Sequence, residues 1–190
     1  MSRVSQAEAK ANRERVVAAA ARLFRENGVA SVGIADVMKA IGLTQGGFYK
    51  QFDSKAALVD EATAKAFADN LRNLEVLEEE NGEHQAALRS LLDTYCSVEH
   101  RDDPGDGCPG AGFAGDVARR AEHRKTYAEG VEEVAAWIAP GEAGLAAYAT
   151  LVGGILLARA TAGTPLSERI LDAAHTAAAN TADGTRPAAG

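Results

Sequence analysis

The chain has 190 residues, enough for one well-buried core or for a small module joined to a larger domain. Its apolar fraction is 46%, with much alanine and few aromatics, which favours packed helices over sheets. A formal charge of −7 argues by itself against a nucleic-acid partner, but the charge is uneven: residues 1–65 hold ten Lys/Arg against seven Asp/Glu, the remainder ten against twenty.

A basic head on an acidic body permits a polyanion partner for the head alone, although ordinary scatter of surface charge gives a similar excess. No apolar run approaches the roughly 18 residues that cross a bilayer. The most apolar stretch, "LAAYATLVGGILLARA", is shorter. The polar start "MSRVSQAEAKANRER" has no apolar signal-peptide core. Two cysteines are no disulfide framework, and four scattered histidines without a CxxC suggest no metal centre. The expectation is a cytoplasmic protein without a cofactor.

In chain order, residues 1–11 read as a flexible arm. "NRERVVAAAARLFREN" carries Val16, Ala20, Leu23 and Phe24 at helical spacing and is stopped by Asn27-Gly28. A second, two-turn helix carries Ile34, Val37, Met38 and Ile41, with Ser31 or Gly33 as its cap and Gly42 at its end. Thr44 then opens a third short helix through Phe52, and Ser54 caps a fourth from Lys55. Two helices flanking a short glycine-containing turn have helix-turn-helix spacing, which sets the start of the second helix in the major groove of DNA. Gly46 and Gly47 would let that helix lie close to the sugar-phosphate wall. Gln45 would reach a base edge, and Tyr49, Lys50 and Lys55 would hold phosphates. The plainer alternative makes the glycines a loop and the aromatics simple core.

Further on, "LEVLEEENGEH" reads as a solvated helix end stopped at Asn81-Gly82. Residues 145–160 form a broad apolar helix with Leu145, Tyr148, Leu151, Val152, Ile155 and Leu156. Ala149, Gly153 and Gly154 leave it open to close approach by another helix. "TPLSERILDAAHTAAAN" makes an amphipathic partner through Leu166, Ile170, Leu171 and Ala174. The tail 181–190 lacks periodicity and reads as disordered.

The pattern apolar-Gly-Leu-Thr-x-Gly-x-Phe/Tyr-Tyr-x-x-Phe-x-Ser-Lys, within "IADVMKAIGLTQGGFYKQF" and "DSKAALVDEA", decides between these alternatives. From Arg15 to Ala62 the chain resembles the DNA-binding domain of the TetR family of bacterial transcription regulators. The resemblance implies DNA contacts at Thr44, Gln45, Gly46, Tyr49, Gln51 and Lys55. Gly33 stands at the helix-two cap, where the family usually has Ser or Thr for a phosphate. It implies an all-α fold: a helix-turn-helix domain over residues 12–62, then a helical domain over 63–180 that binds an effector and forms a homodimer. The dimer would use Tyr148, Leu151, Val152, Ile155, Leu166 and Ile170, and two-fold symmetry would match a palindromic operator. The expected protein is a repressor released by a small apolar or aromatic molecule, and not an enzyme.

Candidate effector contacts in the middle helices are Phe67, Leu71, Leu92 and Tyr95, then Cys96, Phe113, Tyr127 and Trp137. Each such residue is more often simple core than a ligand contact. Cys108, before Pro109 and a helix start, with His100 and Arg101 nearby, is readable as a thiol sensor with Cys96 as resolving partner, or as a small buried residue. A thiol enzyme built from Cys108, His100 and Asp102 or Asp103 is the remote third reading.

Overall fold

The structure, a computed structural model, describes residues 6–183, and among these every regular element is helical. Helix α1 is Gln6–Asn27, α2 Ile34–Ala40 and α3 Lys55–Asn81. They are followed by α4 His84–Tyr95, α5 Val98–Asp102, α6 Pro109–Ala118, α7 Arg124–Ile138, α8 Glu142–Ala160 and α9 Pro165–Asp183.

Two apolar cores organise them. The first gathers Val16, Ala20 and Phe24 of α1, Val37 and Met38 of α2, Phe48, Phe52, and Leu58 to Ala66 of α3. The second gathers Phe67 and Leu74 of α3, Leu88 and Leu92 of α4, Val134 and Ile138 of α7, and the inner faces of α8 and α9. A boundary at 62/63 therefore falls inside one continuous helix. Helix α3 contains no glycine or proline, so nothing in it marks a linker. The second domain also intrudes on the first, because Phe113 and Val117 of α6 complete the N-terminal core.

Several local expectations change. Helix α1 opens at Gln6 rather than after residue 11, since Gln6 to Ala11 are all strong helix formers. The segment expected as a helix from Thr44 to Phe52 is a six-residue 3₁₀ turn, Gln45–Lys50. Of the two expected caps Gly33 is the one that caps α2; it offers no side chain to the helix N–H groups, and Asp36 reaches back to accept the Gly33 N–H at 2.8 Å. Ser54 caps α3 as expected, accepting from the Ala57 N–H at 3.1 Å, and Gly82 ends it in the left-handed region at φ 74°. Of the tail, residues 181–183 continue α9, and 184–190 lie outside the described residues.

Helix α8 has 19 residues and is apolar enough to cross a bilayer by length and composition. Its longest contact runs along α9, however, and α7 packs on it too. Tyr148, Leu151 and Ile155, expected at a dimer interface, are buried within their own chain. The glycines explain how. A methyl on Gly154 would strike the Cβ of Ala174 on α9, and one on Gly144 would strike the carbonyl oxygens of Ala135 and Ala139. The close approach anticipated for a second chain is spent inside this one.

Gly144→Ala drives a methyl into backbone that cannot rotate away, so it should lower unfolding stability by about 1–3 kcal/mol. Urea unfolding followed by helix circular dichroism measures this.

Candidate nucleic-acid interface and effector cavity

The 3₁₀ turn is held from beneath by its aromatics. Phe48 and Phe52 are buried and stacked with centroids 5.1 Å apart, while Tyr49 meets Phe48 edge-on and stays 63% exposed. Thr44, Gln45, Gly46 and Lys50 face solvent beside it. A methyl on Gly46 would meet nothing within 4 Å, and one on Gly47 would make only an ordinary 3.6 Å contact with Met38. Neither glycine has a positive φ. The fold itself makes no demand for Gly46, so the bare backbone there serves whatever approaches from outside.

Side chains from two helices lock the turn in place. The Arg13 guanidinium donates to the Gln51 carbonyl and to Glu61 of α3, and lies 4.1 Å from the Phe52 ring centroid. Arg15 donates to the Ile41 carbonyl at 2.8 Å, tying α1 to the end of α2. Gln51 is half-buried, its side-chain oxygen enclosed without a protein partner. Lys55 departs furthest from the expectation of a free phosphate ligand: its Nζ donates to the Val29 carbonyl at 2.6 Å. Burial lowers its pKa, and Arg120 adds to the effect. The Val29 N–H in turn donates to Asp116 of α6 at 2.9 Å. Sequence patterning gives Arg13 and Asp116 no distinction, because each acts on a partner dozens of residues away.

The C-terminal core encloses a cavity of about 10 Å³, room for one water. Its walls include Leu74, Leu91, Val134, Ile138 and Leu151, with Asn70, Tyr95, Cys108 and Tyr148 supplying the polar atoms. Of the eight candidate effector contacts only Tyr95 lines it, whereas Tyr148 and Leu151, expected at the dimer face, do. Phe113 belongs to the N-terminal core. Phe67, Leu71, Leu92 and Cys96 pack in or against the C-terminal one. Tyr127 donates to the Gly110 carbonyl at 2.6 Å, and Trp137 donates to Glu78 at 3.1 Å. A helical period finds which side chains point inward, but not where packing is incomplete.

Cys108 caps α6 by position, is 4% exposed, and its thiol lies 3.2 Å from the Tyr148 hydroxyl. Cys96 is elsewhere, in an open groove with Asp93, Asp172 and His175. Burial, helped by Asp172 and Asp93, pushes its pKa up to about 11, which keeps a resolving thiol protonated. His100 is not poised as a base for Cys108. Its Nδ1 bonds the Tyr95 carbonyl at 2.7 Å and its Nε2 accepts the Cys108 N–H at 3.1 Å, so it holds backbone on both sides. Asp102 is paired with Arg101.

Residues 16–62 match the family model of bacterial regulatory proteins, tetR family. Over the whole fold the structure resembles that of a TetR transcriptional regulator from Chloroflexus aurantiacus. The two are 25% identical with a TM-score of 0.73, over 92% of this chain and 96% of the other. Residues 16–62 thus carry a tetR-family segment, and the chain as a whole shares the fold of a TetR transcriptional regulator. Among curated relatives, the transcriptional regulator AcrR of Shigella flexneri is 36% identical over 61 residues, 32% of this chain and 28% of its own length. The transcriptional repressor KstR2 of Rhodococcus jostii is 32% identical over 80 residues, 42% of this chain and 34% of its own. The match thus spans about a third of these relatives. The reduced form of Escherichia coli NemR shares the fold at 19% identity and TM-score 0.71, covering 86% of this chain and 95% of that one.

Of the positions expected to contact DNA, Thr44, Gln45, Gly46, Tyr49 and Lys50 are exposed together, with Gly47 half-buried beside them. Gln51 and Lys55 are turned toward the protein, and Gly33 offers only backbone, its N–H already taken by Asp36.

Two outcomes are expected here. Gly46→Ala should leave thermal unfolding unchanged or slightly raised, yet weaken retention of duplex DNA in gel shifts, because the added methyl faces only an outside partner. Burial holds the His100 imidazole below its ordinary 6.5, with Arg159 adding to the effect. The unfolded chain therefore binds the proton more readily between the lowered value and 6.5, so stability rises with pH through that window and is lost on acidification. The urea midpoint should fall from about pH 7 to about pH 5, and fall less in His100→Asn.

Proposed function

We propose that the protein is a homodimeric, sequence-specific DNA-binding transcription regulator, a cytoplasmic repressor released from a palindromic operator by a small apolar or aromatic molecule. The observation that carries this reading is the solvent-facing set Gln45, Gly46, Tyr49 and Lys50, on a turn whose aromatic underside and Arg13 clamp fix its direction. Gln45 is the base reader, since an amide side chain pairs with adenine in the major groove. Lys50 and Tyr49 meet phosphates, which sets register without reading sequence. Family members named as transcriptional regulators and a repressor support the same reading.

The dimer is assigned to the outer faces of α8 and α9. Leu145, Leu156, Leu157 and Leu166 are exposed there, Leu157 to 58%, and Gly153 has open space above it. Val152 and Ile170, half-buried against the C-terminal core, are assigned to the border of this face. A contiguous exposed apolar face of this kind marks an interaction surface, and two-fold pairing along it would present two recognition turns to one duplex. Effector binding shifts the balance between dimer states by its differential affinity for them, a coupling of about 1–3 kcal/mol in allosteric proteins.

Selection of bound duplexes from a random pool, retested at two salt concentrations, should return a palindrome whose affinity falls steeply with salt. Gln45→Ala should relax preference at one base pair per half-site, by about 1–3 kcal/mol. Leu157→Glu should yield monomers in sedimentation and lose the palindrome. Recovery of no sequence by a folded dimer would overturn the reading.

A further inference from the structure

We infer that the cavity beside Cys108 takes a neutral, flat apolar molecule bearing a carbonyl or similar hydrogen-bond acceptor. We infer further that this molecule enters between Asn70 and the Gly107–Pro109 turn. The inference rests on the proposed effector-controlled regulator and names the effector's chemistry.

The lining decides the class. No Asp, Glu, Lys or Arg borders the cavity, and burying an uncompensated charge there is prohibitive. The polar atoms gathered around Cys108 are rich in donors: the Tyr95 hydroxyl, the Tyr148 hydroxyl and the thiol. The hydrogen bond of Cys108 goes to Tyr148. The Tyr95 hydroxyl, on a side chain only 8% exposed, is buried without a protein hydrogen-bond partner. An unmatched buried donor is costly, so a ligand oxygen that accepts its hydrogen gains more there than in water.

The route follows from a neighbouring open cleft of about 340 Å³, bordered by Arg25, Asp69, Asn73 and Asp106. Asn70 lines both spaces, and the cleft touches Gly107 and Pro109 while the cavity touches Cys108 between them. The partition is therefore one side chain and one turn. That turn is tethered to the DNA-binding domain: Arg22 pairs with Asp106, and Arg25 donates to the Gly105 carbonyl at 2.9 and 2.6 Å. A molecule larger than water must push the turn outward, and the turn cannot move without disturbing α1.

The test uses acetophenone, its acceptor-free isostere ethylbenzene and anionic benzoate, titrated calorimetrically into the full chain. Acetophenone should bind about fivefold to tenfold more tightly than ethylbenzene, the worth of one hydrogen bond, and benzoate more weakly than either. Tyr95→Phe should erase the preference. Leu91→Phe, which narrows the apolar wall, should weaken both neutral probes alike, and it serves if Tyr95→Phe folds poorly. Equal affinities, a preference that survives Tyr95→Phe, tightest binding of benzoate, or no binding by any probe would overturn the inference. Duplex selection on the unliganded protein separates the two claims: a palindrome recovered without probe binding sinks only this one, and failure of both sinks the regulator reading too.

Discussion

Helix α3 belongs to both cores, and most of the architecture follows from that. Its first turns bury Leu58, Val59, Ala62 and Ala66 in the N-terminal core, and its next residue, Phe67, already lies in the other core. A helix of 27 residues is about 40 Å long, and without glycine or proline it has no place to bend cheaply. Phe67 is pinned at the changeover, because Gly130 of α7 has given up its side chain to let the ring sit against the backbone. A tilt of α3 would therefore be shared by both cores.

Around that helix, polar contacts reinforce the apolar packing where the two cores meet. Val29 has its N–H taken by Asp116 of α6 and its carbonyl by Lys55 of α3, so one loop residue is gripped from both domains. His123, almost fully buried where α7 begins, reaches Asp60 on α3 at 2.7 Å. Phe113 and Val117 supply the apolar component of the same joint. Hydrogen bonds to charged groups carry more stability than neutral ones but demand tighter geometry. Helix α6 is thus bonded directly to the Val29 loop that leads into α2.

The sequence was informative where a local rule governs. Ser54 and Gly82 bound α3 because a hydroxyl caps and a glycine accepts a left-handed φ, and the stripe Val16, Ala20 and Phe24 names the inner face of α1. The turn from Gln45 to Lys50 was harder: its exposed residues are visible in the motif, but its 3₁₀ geometry over a stacked Phe48-Phe52 pair is one that no helical period distinguishes. Long-range partnerships were not legible. Nothing in the sequence ties Lys55 to Val29, or places Tyr148 against Cys108 rather than against a second chain. The first joins residues 26 apart, and the second depends on which face of α8 turns inward, which a helix so apolar on all sides does not declare.

That apolarity bears on how the chain comes to be folded at all. An exposed α8 would be attractive to lipid and to its own kind. Its main partner, α9, follows after only residues 161–164, and the connection is tightened by Ser167, whose hydroxyl donates to the Ala158 carbonyl at 2.8 Å. Contacts near in sequence form fastest, since little loop entropy is lost in closing them. The most adhesive segment of the protein is thus sheltered by the helix made immediately after it, and order of synthesis becomes a safeguard against misassembly.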